Sequence, residues 1–499
     1  MPNVILISLD TTRADRLSCY GHFRRTSPHL DKIADEGILF TNFFSPHIPT
    51  YPGHTTMMTG KDIYAHQITG QSGNPEPAKN VRMLAEILQE NGYFTGAADN
   101  LGRWFARGFD VMETYKWDTT QKQDWRKGEA VAEASKRVIN KAAEQDRPFF
   151  LFLHFWDPHT PYLPPKPFDR MFYSGDECDP KNESMDALWD FDNFKSYFHE
   201  WMPGVTDIEF PKAQYDAEIA YMDTCLAHVF SHLDALGLSG DTLLVITADH
   251  GEELDEHEHW FDHHGLYDTN IHVPCIMRCP DYLPAGLKIH GLTQMPDITP
   301  TILDFLELGH IAKQEKMTGQ SLVPLINSPS AVSRGTTDYV HITENTWMKK
   351  RGIRTHRWKL IVPLEVPDLH GNSDIELYHL PDDPNELNNI AKERPEIVKR
   401  LSSLMDEWVA NRLSATNLSD PLPIQPLPLR KIGSSMDIAV PRDKRLTKEM
   451  PEDALEEMSP KDYNISENSR NKRGEKALRD EKLSAGDFIG YDREDSENK

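Results

Sequence analysis

A doubly wound, mostly parallel α/β domain over residues 1–333, a smaller α+β domain over 334–416 and an extended tail over 417–499 form the architecture this sequence predicts. Two observations predict it. The runs Val4 to Asp10, Pro148 to Trp156 and Asp241 to Thr247 are almost continuously apolar, the mark of strands covered on both faces of a parallel sheet. Segments with helical spacing separate them until about residue 330, after which short strands follow one another with a single helix.

In chain order, Val4 to Asp10 is the first strand, and Asp10 falls at its carboxyl end, where open α/β sheets bind ligands. The same carboxylate would equally cap a helix from Thr11 onward. Ser27-Pro28 opens a helix through Glu36 that Gly37 ends, and Ile38 to Phe44 reads as the next strand. The stretch from Thr50 to Gly60 is a loop running into a short helix. Pro52 suits its first helical position, which places Thr50 just ahead of free N–H groups and a dipole that favour negative charge. Taken by itself, this stretch is an ordinary capped turn.

Val81 to Asn91 has helical spacing in Val81, Leu84, Ile87 and Leu88, and Tyr93 to Ala98 is a strand whose exit is Asp99-Asn100. Asp124 to Gln145 is a long helix. Pro148 to Trp156 leads into Asp157-Pro158-His159, and residues 163–210 form a long aperiodic insertion, a type of loop that commonly serves function. Gln214 to Leu238 is a helix, Asp241 to Thr247 a strand ending in Asp249-His250-Gly251, His272 to Met277 a strand, and Ile298 to Leu306 a helix. In the small domain Asp338 to Thr343, Arg351 to Pro363 and Glu376 to Leu380 read as antiparallel strands, with a helix at Pro395 to Asn411.

The net charge of -25 argues against nucleic acid or an anionic membrane as partner. No apolar run approaches the roughly 20 residues of a membrane span, and Met1 to Asp10 lacks a secretory signal, so a cytoplasmic location is expected. Five cysteines without paired metal-type spacing read as structural thiols. In the tail, Leu422, Ile424, Leu427 and Leu429 interleave with prolines, and Asp487 to Asp492 adds a second apolar group. This predicts a strap lying on a folded surface, that of a neighbouring subunit in a homo-oligomer.

Asp10, Thr50, Asp249 and His250 come from separate strand ends and one loop. Together they make a hard, mostly oxygen shell for one divalent cation (Mn, Ca, Zn or Mg). Such a cation would lower the pKa of the Thr50 hydroxyl and make it a nucleophile. His54, Asn100 and His264 are candidates for holding the substrate's non-bridging oxygens, and His159 for protonating the leaving group. The dense acidic and histidine segment from Glu252 to His259 reads as a solvated loop, whereas His263 and His264 abut Gly265 just ahead of the next strand.

On these residues the chain resembles the sulfatase family of the alkaline phosphatase superfamily, over roughly residues 2 to 412. The matching motifs are Ser8 to Asp15, Thr50 to Gly60, Trp156 to Tyr162, Ala248 to Glu253, Ile271 to Pro274, Arg351 to Ile361 and Glu376 to Leu380. The departures from the family pattern matter as much. The resemblance implies a Cys or Ser, oxidised to formylglycine, where this chain has Thr50, and threonine's β-carbon methyl forbids that aldehyde. His54 stands for the family's arginine, Asn100 for its first lysine, a residue near His264 for its second, and Thr11 for the second of two adjacent aspartates. Threonine nucleophiles occur in the phosphodiesterase and phosphoglycerol-transferase branches of the superfamily. The expectation is therefore a metal-dependent hydrolase of phosphate mono- or diesters acting through a covalent threonine, on a small-molecule or glycan-linked anionic ester. The alternatives are a sulfate ester hydrolase with unmodified Thr50, and a catalytically idle metal-binding homologue.

Overall fold

A computed structural model describes residues 1–71, 76–115, 128–191, 195–328 and 333–427. Leu429, the Asp487 to Asp492 group and the first turn expected from Asp124 lie outside the described residues. The strand Asn3–Leu9 is the centre of the molecule, with all seven residues buried. It pairs in parallel with Phe149–Phe155 on one side and Thr242–Thr247 on the other. The eight-stranded sheet runs Leu287–Ile289, Ile38–Phe40, Cys275–Arg278, Thr242–Thr247, Asn3–Leu9, Phe149–Phe155, Phe94–Ala98, Val111–Glu113. Cys275–Arg278 is antiparallel to both neighbours, and the other pairings are parallel. Leu9 stands beside Phe155 and Ser8 beside Thr247, so the residues that leave these three strands emerge at one edge.

Helices form where apolar side chains recur every three or four residues, as in Gly128–Ala143, which buries Val131, Ala134, Val138 and Ile139. That helix and Pro28–Asp35 both pack on the long Glu209–Ala235 helix, while Thr50–Thr59, Leu84–Glu90 and Ile298–Phe305 form a second group. Among the described residues, no helix is long and apolar enough to cross a membrane.

Several elements differ from expectation for identifiable reasons. Ile38 to Phe44 is two strands in two sheets, because the chain turns at Thr41-Asn42, whose side chains bond to the Ile289 to His290 segment. Arg351 to Pro363 is a hairpin of Lys349–Thr355 and Trp358–Pro363. Its turn has no glycine signal and is made by Thr355 Oγ1, which accepts from the N–H of Arg357 and of Trp358 at 3.3 and 2.9 Å. The insertion holds two short helices, Asp186–Asp190 and Lys195–Trp201.

The smaller sheet runs Glu376–His379, Trp358–Pro363, Lys349–Thr355, Tyr339–Asn345, His47–Ile48. Its last strand belongs to the first lobe and ends two residues before Thr50, so the two lobes share a sheet next to the expected nucleophile. The described part of the tail docks on its own chain. Leu422 is buried with Ile63, Tyr64 and Val409, Asp420 pairs with Arg351, and Gln425 bonds to Gln67 and Thr69. Ile424, expected as an anchor, is 68% exposed.

The loop after Thr242–Thr247 is tied down by Arg13. Its guanidinium grips Asp15 in two 2.8 Å bonds and donates to Glu256 Oε1 at 2.9 Å and to the Glu252 carbonyl at 3.1 Å. Burial would raise the Glu256 pKa, but Arg13 and Arg16 outweigh it and hold the carboxyl well below the usual range. A depressed folded-state pKa gives stability that is fully present above the unfolded value, about 4.3, and is lost progressively as pH falls from there through the lower folded value. Glu256→Gln is therefore expected to lose about 2 kcal/mol at pH 7, with the deficit shrinking below about pH 4, as read by urea denaturation at the two pH values.

Candidate active site

The Thr50–Thr59 helix begins at Thr50 itself, two residues earlier than Pro52 suggested, and Gly60 ends it at φ 63°. Pro52 still lies in the first turn, where no N–H is required of it. The Tyr51 N–H donates to Gln71 Oε1 at 2.9 Å, so one of the expected free donors of this turn is taken. All ten residues are buried, and the helix lies directly on Asp249: a Cβ at Gly53 would come within 2.8 Å of the Asp249 carbonyl oxygen. Ser45 Oγ also donates to that carbonyl.

Around Thr50 the side chains converge. Thr50 Oγ1 lies 3.1 Å from His250 Nε2, which is 3.3 Å from Asp249 Oδ2 and 4.0 Å from Asp10 Oδ1. His250 Nδ1 is 2.9 Å from the Gly251 carbonyl, which can only accept, so Nδ1 carries the proton and Nε2 turns its lone pair to Thr50 and the carboxylates. Asp10, Asp249 and His250 each offer one atom within 4.8 Å of the others. Both oxygens of Asp10, Oδ2 of Asp249 and Oγ1 of Thr11 are buried and accept no hydrogen bond of good geometry. Two carboxylates with three of their four oxygens unbonded, buried beside an imidazole lone pair, fit a bound divalent cation, and Asp10, Asp249, His250 and Thr50 are the residues that would hold it. Thr11 sits at φ 54°, a left-handed conformation that is uncommon for a β-branched residue, and its N–H donates to Asp249 Oδ1 at 3.3 Å.

His54 lies beneath this cluster and does not face a substrate. Its Nδ1–H donates to the Thr50 carbonyl at 3.0 Å and its Nε2 is 2.9 Å from Ser8 Oγ, so both nitrogens are committed to the protein. Burial lowers its pKa to about 3 despite Asp249, which leaves it neutral. Asn100 also departs from expectation. Its amide clasps the Tyr115 backbone, donating to O at 2.8 Å and accepting from N at 3.3 Å. The residue before it makes the link instead, because Asp99 Oδ1 is 2.8 Å from His154 Nδ1, and His154 Nε2 is 3.3 Å from Asp10 Oδ2. Burial would lower the His154 pKa, but the two carboxylates hold it at about 9. His154 escaped sequence reasoning, and its only signal was a histidine inside the run Phe149–Phe155.

His264 is likewise displaced from its expected place: its Nε2 is 2.9 Å from His370 Nε2. The neighbouring His263 takes the position near the cluster, with its ring 4.8 Å from that of His250 and 5.1 Å from that of His159. Against burial, Asp262 and Glu252 raise its pKa to about 9. Glu252 is wholly buried, accepts from Tyr162 Oη at 2.6 Å and stands 3.4 Å from His263 Nδ1, so the expectation of a solvated loop is wrong here. His159 Nδ1 donates to the Thr160 carbonyl at 2.8 Å, so proton exchange at this ring falls to Nε2.

The family model described as Sulfatase matches residues 2–308, and the one described as N-sulphoglucosamine sulphohydrolase, C-terminal, matches 255–411. An N-acetylglucosamine-6-O-sulfatase of Bacteroides thetaiotaomicron is 23% identical, with 82% of this chain and 87% of that protein covered. A multifunctional alkaline phosphatase superfamily protein of Trinickia caryophylli is 24% identical, with 65% and 77% covered. Among solved structures, the phosphonate monoester hydrolase of Agrobacterium radiobacter has a TM-score of 0.66 at 22% identity, covering 83% of this chain and 96% of that one.

Removing one charged oxygen ligand from the cluster is expected to weaken divalent cation binding by on the order of 10- to 100-fold. Calorimetric titration of chelator-treated Asp10→Asn and Asp249→Asn proteins measures this. Wild-type affinity in both would place the ion elsewhere.

Proposed function

The chain belongs to the sulfatase family, and from that premise we propose that it is a metal-dependent hydrolase of phosphate or phosphonate esters with Thr50 as the nucleophile. The observation that carries this reading is Thr50 Oγ1 at the start of a buried helix, 3.1 Å from His250 Nε2 and beside two carboxylates with three of their four oxygens unbonded. When bound, a divalent cation supplies the positive charge that makes the hydroxyl nucleophilic at neutral pH.

The protein's own groups do the rest. His54 clamps the Thr50 carbonyl and the Asp99–His154 pair steadies Asp10, so the reacting oxygen is held by its surroundings and needs no rearrangement. Thr50 Oγ, its proton released to water, attacks phosphorus, the bond to the alcohol oxygen breaks, and the alcohol leaves with a proton from His159. Water, giving a proton back to His159, then attacks the phospho-threonine, and the bond from phosphorus to Thr50 Oγ breaks to release the acid. Protonated His263, beside His159, adds positive charge near the leaving group or the anion.

The curated relatives favour a second reading, a sulfate ester hydrolase, since those above include an N-acetylglucosamine-6-O-sulfatase. Thr50 stands against it. A sulfo-threonine lacks the formylglycine hydrate's route for expelling sulfate, whereas a phospho-threonine is open to water at phosphorus. Assays of aryl phosphate monoesters, phosphodiesters, phosphonates and sulfates, each with Mn, Ca, Zn or Mg, discriminate the two. Inactivity toward every substrate with every metal would favour an idle homologue.

Thr50→Ala is expected to lower kcat by roughly a thousandfold or more with the fold intact, while Thr50→Ser keeps measurable turnover and a phosphate adduct on the Thr50 peptide can be trapped by acid quench and mass spectrometry. Turnover of Thr50→Ala within about tenfold of wild type excludes the assignment. His159→Ala should slow esters of poorly acidic alcohols far more than activated aryl esters, since an aryl oxide needs little protonation. Equal losses across a leaving-group series would make His159 a positioning residue.

A further inference from the structure

A second cluster of ligating side chains lies outside the site just described. His259 and His264 come from the loop after Gly251, and His370 comes from a turn of the small domain. Each offers one nitrogen, all within 4.8 Å of one another. The rings crowd together, with centroids 4.1 Å apart for His259 and His370 and 4.6 Å for His259 and His264. His264 Nε2 and His370 Nε2 stand 2.9 Å apart. Two imidazole nitrogens that close require either a proton between them or a shared cation. Tetrahedral ligation at roughly 2.0 to 2.1 Å separates ligand nitrogens by about 3.3 Å, so a few tenths of an ångström of opening suffices.

We propose that His259, His264 and His370 form a zinc site that fastens the small domain to the loop carrying His263. The proposal is independent of the reaction assigned to Thr50. Three further observations support it. His259 Nδ1 is buried without a hydrogen-bond partner in a side chain that is 1% exposed. Asp262 Oδ2 stands 3.8 Å from His264 Nδ1, too far for a hydrogen bond but close enough to balance charge at the cluster, and Trp347 Nε1 holds that carboxylate at 3.0 Å. The nearby Lys350 is matched by Asp368 at 3.1 Å and Glu376 at 3.2 Å, so its charge is balanced locally.

The donor set chooses the metal. Three imidazoles suit zinc, or cobalt as its spectroscopic substitute, whereas calcium and magnesium require oxygen. His370 is the partly exposed member, and three protein ligands leave a fourth position for water. The turn that presents it is set by Asp368, whose Oδ1 accepts from the N–H of His370 at 3.0 Å and of Asn372 at 2.9 Å, so removing the imidazole leaves the turn intact.

The test uses the full-length Asp249→Asn protein, in which the Thr50 cation site is impaired. Zinc is counted after gel filtration in metal-free buffer, and visible absorption is recorded after loading with Co(II). One zinc per chain and a tetrahedral Co(II) spectrum are expected. His370→Ala or His264→Gln, added to that protein and checked by circular dichroism for an intact fold, should weaken zinc binding on the order of 100-fold and abolish the spectrum. Absence of retained zinc in Asp249→Asn, or retention undiminished by either histidine variant, overturns the proposal.

Discussion

Two buried carboxylates that face one another with three of their four oxygens accepting no hydrogen bond are the constraint on which this structure depends. With oxygens of Asp10 and Asp249 no more than 4.8 Å apart, their mutual repulsion is on the order of 3.5 kcal/mol at an effective dielectric of about 20. That exceeds the net contribution of a typical hydrogen bond, about 1 kcal/mol, so one polar neighbour does not relieve it. The fold accepts the strain because the parallel register of Asn3–Leu9 with Thr242–Thr247 leaves the two aspartates at the same sheet edge. Gly53, close against the Asp249 carbonyl, then lets the Thr50 helix seal the pair from water. A site this dry and this negative selects for a cation, and it gives a weak hydroxyl a reason to sit there.

Around that core, His54, Asn100 and a residue near His264 stand where the resemblance implies arginine and two lysines. His54 is neutral and acts downward on the Thr50 backbone, so it does not replace a cationic arginine as an anion ligand. Positive charge instead comes from His154, between Asp10 and Asp99, and from His263, between Asp262 and Glu252. Each imidazole keeps its proton only because carboxylates flank it. The electrostatics of the site is therefore carried by coupled pairs whose members are buried together, and changing one member alters both.

Much of this was legible in the chain. Val4 to Asp10 and Asp241 to His250 announce a buried strand and its terminal carboxylate, because burial on both faces leaves no room for alternation, and the structure brings Asp10, Thr50, Asp249 and His250 together. What was not legible has specific causes. His154 sits inside an apolar run, where periodicity carries no information about a single polar residue that finds partners across the sheet. Asn100 and His264 turn to Tyr115 and His370, and their neighbours Asp99 and His263 lie nearer the cluster, since strand ends fix which loop reaches the site but not which side chain of it turns inward. The Glu252 to His259 segment looked solvated by composition, yet Arg13, from a distant part of the chain, pairs with Glu256 and donates to the Glu252 carbonyl.

The small domain acquires a mechanical role from the same contacts. Glu344 accepts from the Gly265 N–H at 2.9 Å, Glu386 from the Asp268 N–H at 2.6 Å, and Glu376 from Tyr267 Oη at 2.7 Å. Lys359 pairs with Asp268 at 2.6 Å from the next strand. These four side chains grip the segment immediately after His263, while the strand His47–Ile48 joins the small sheet immediately before Thr50. Both Thr50, the proposed nucleophile, and His263 are thus held from the same lobe. A shift of that lobe moves the two together, which preserves their separation, whereas a shift confined to the 252–265 loop would change it. The small lobe accordingly touches both the segment before Thr50 and the segment after His263, although it lies far from Thr50 along the chain.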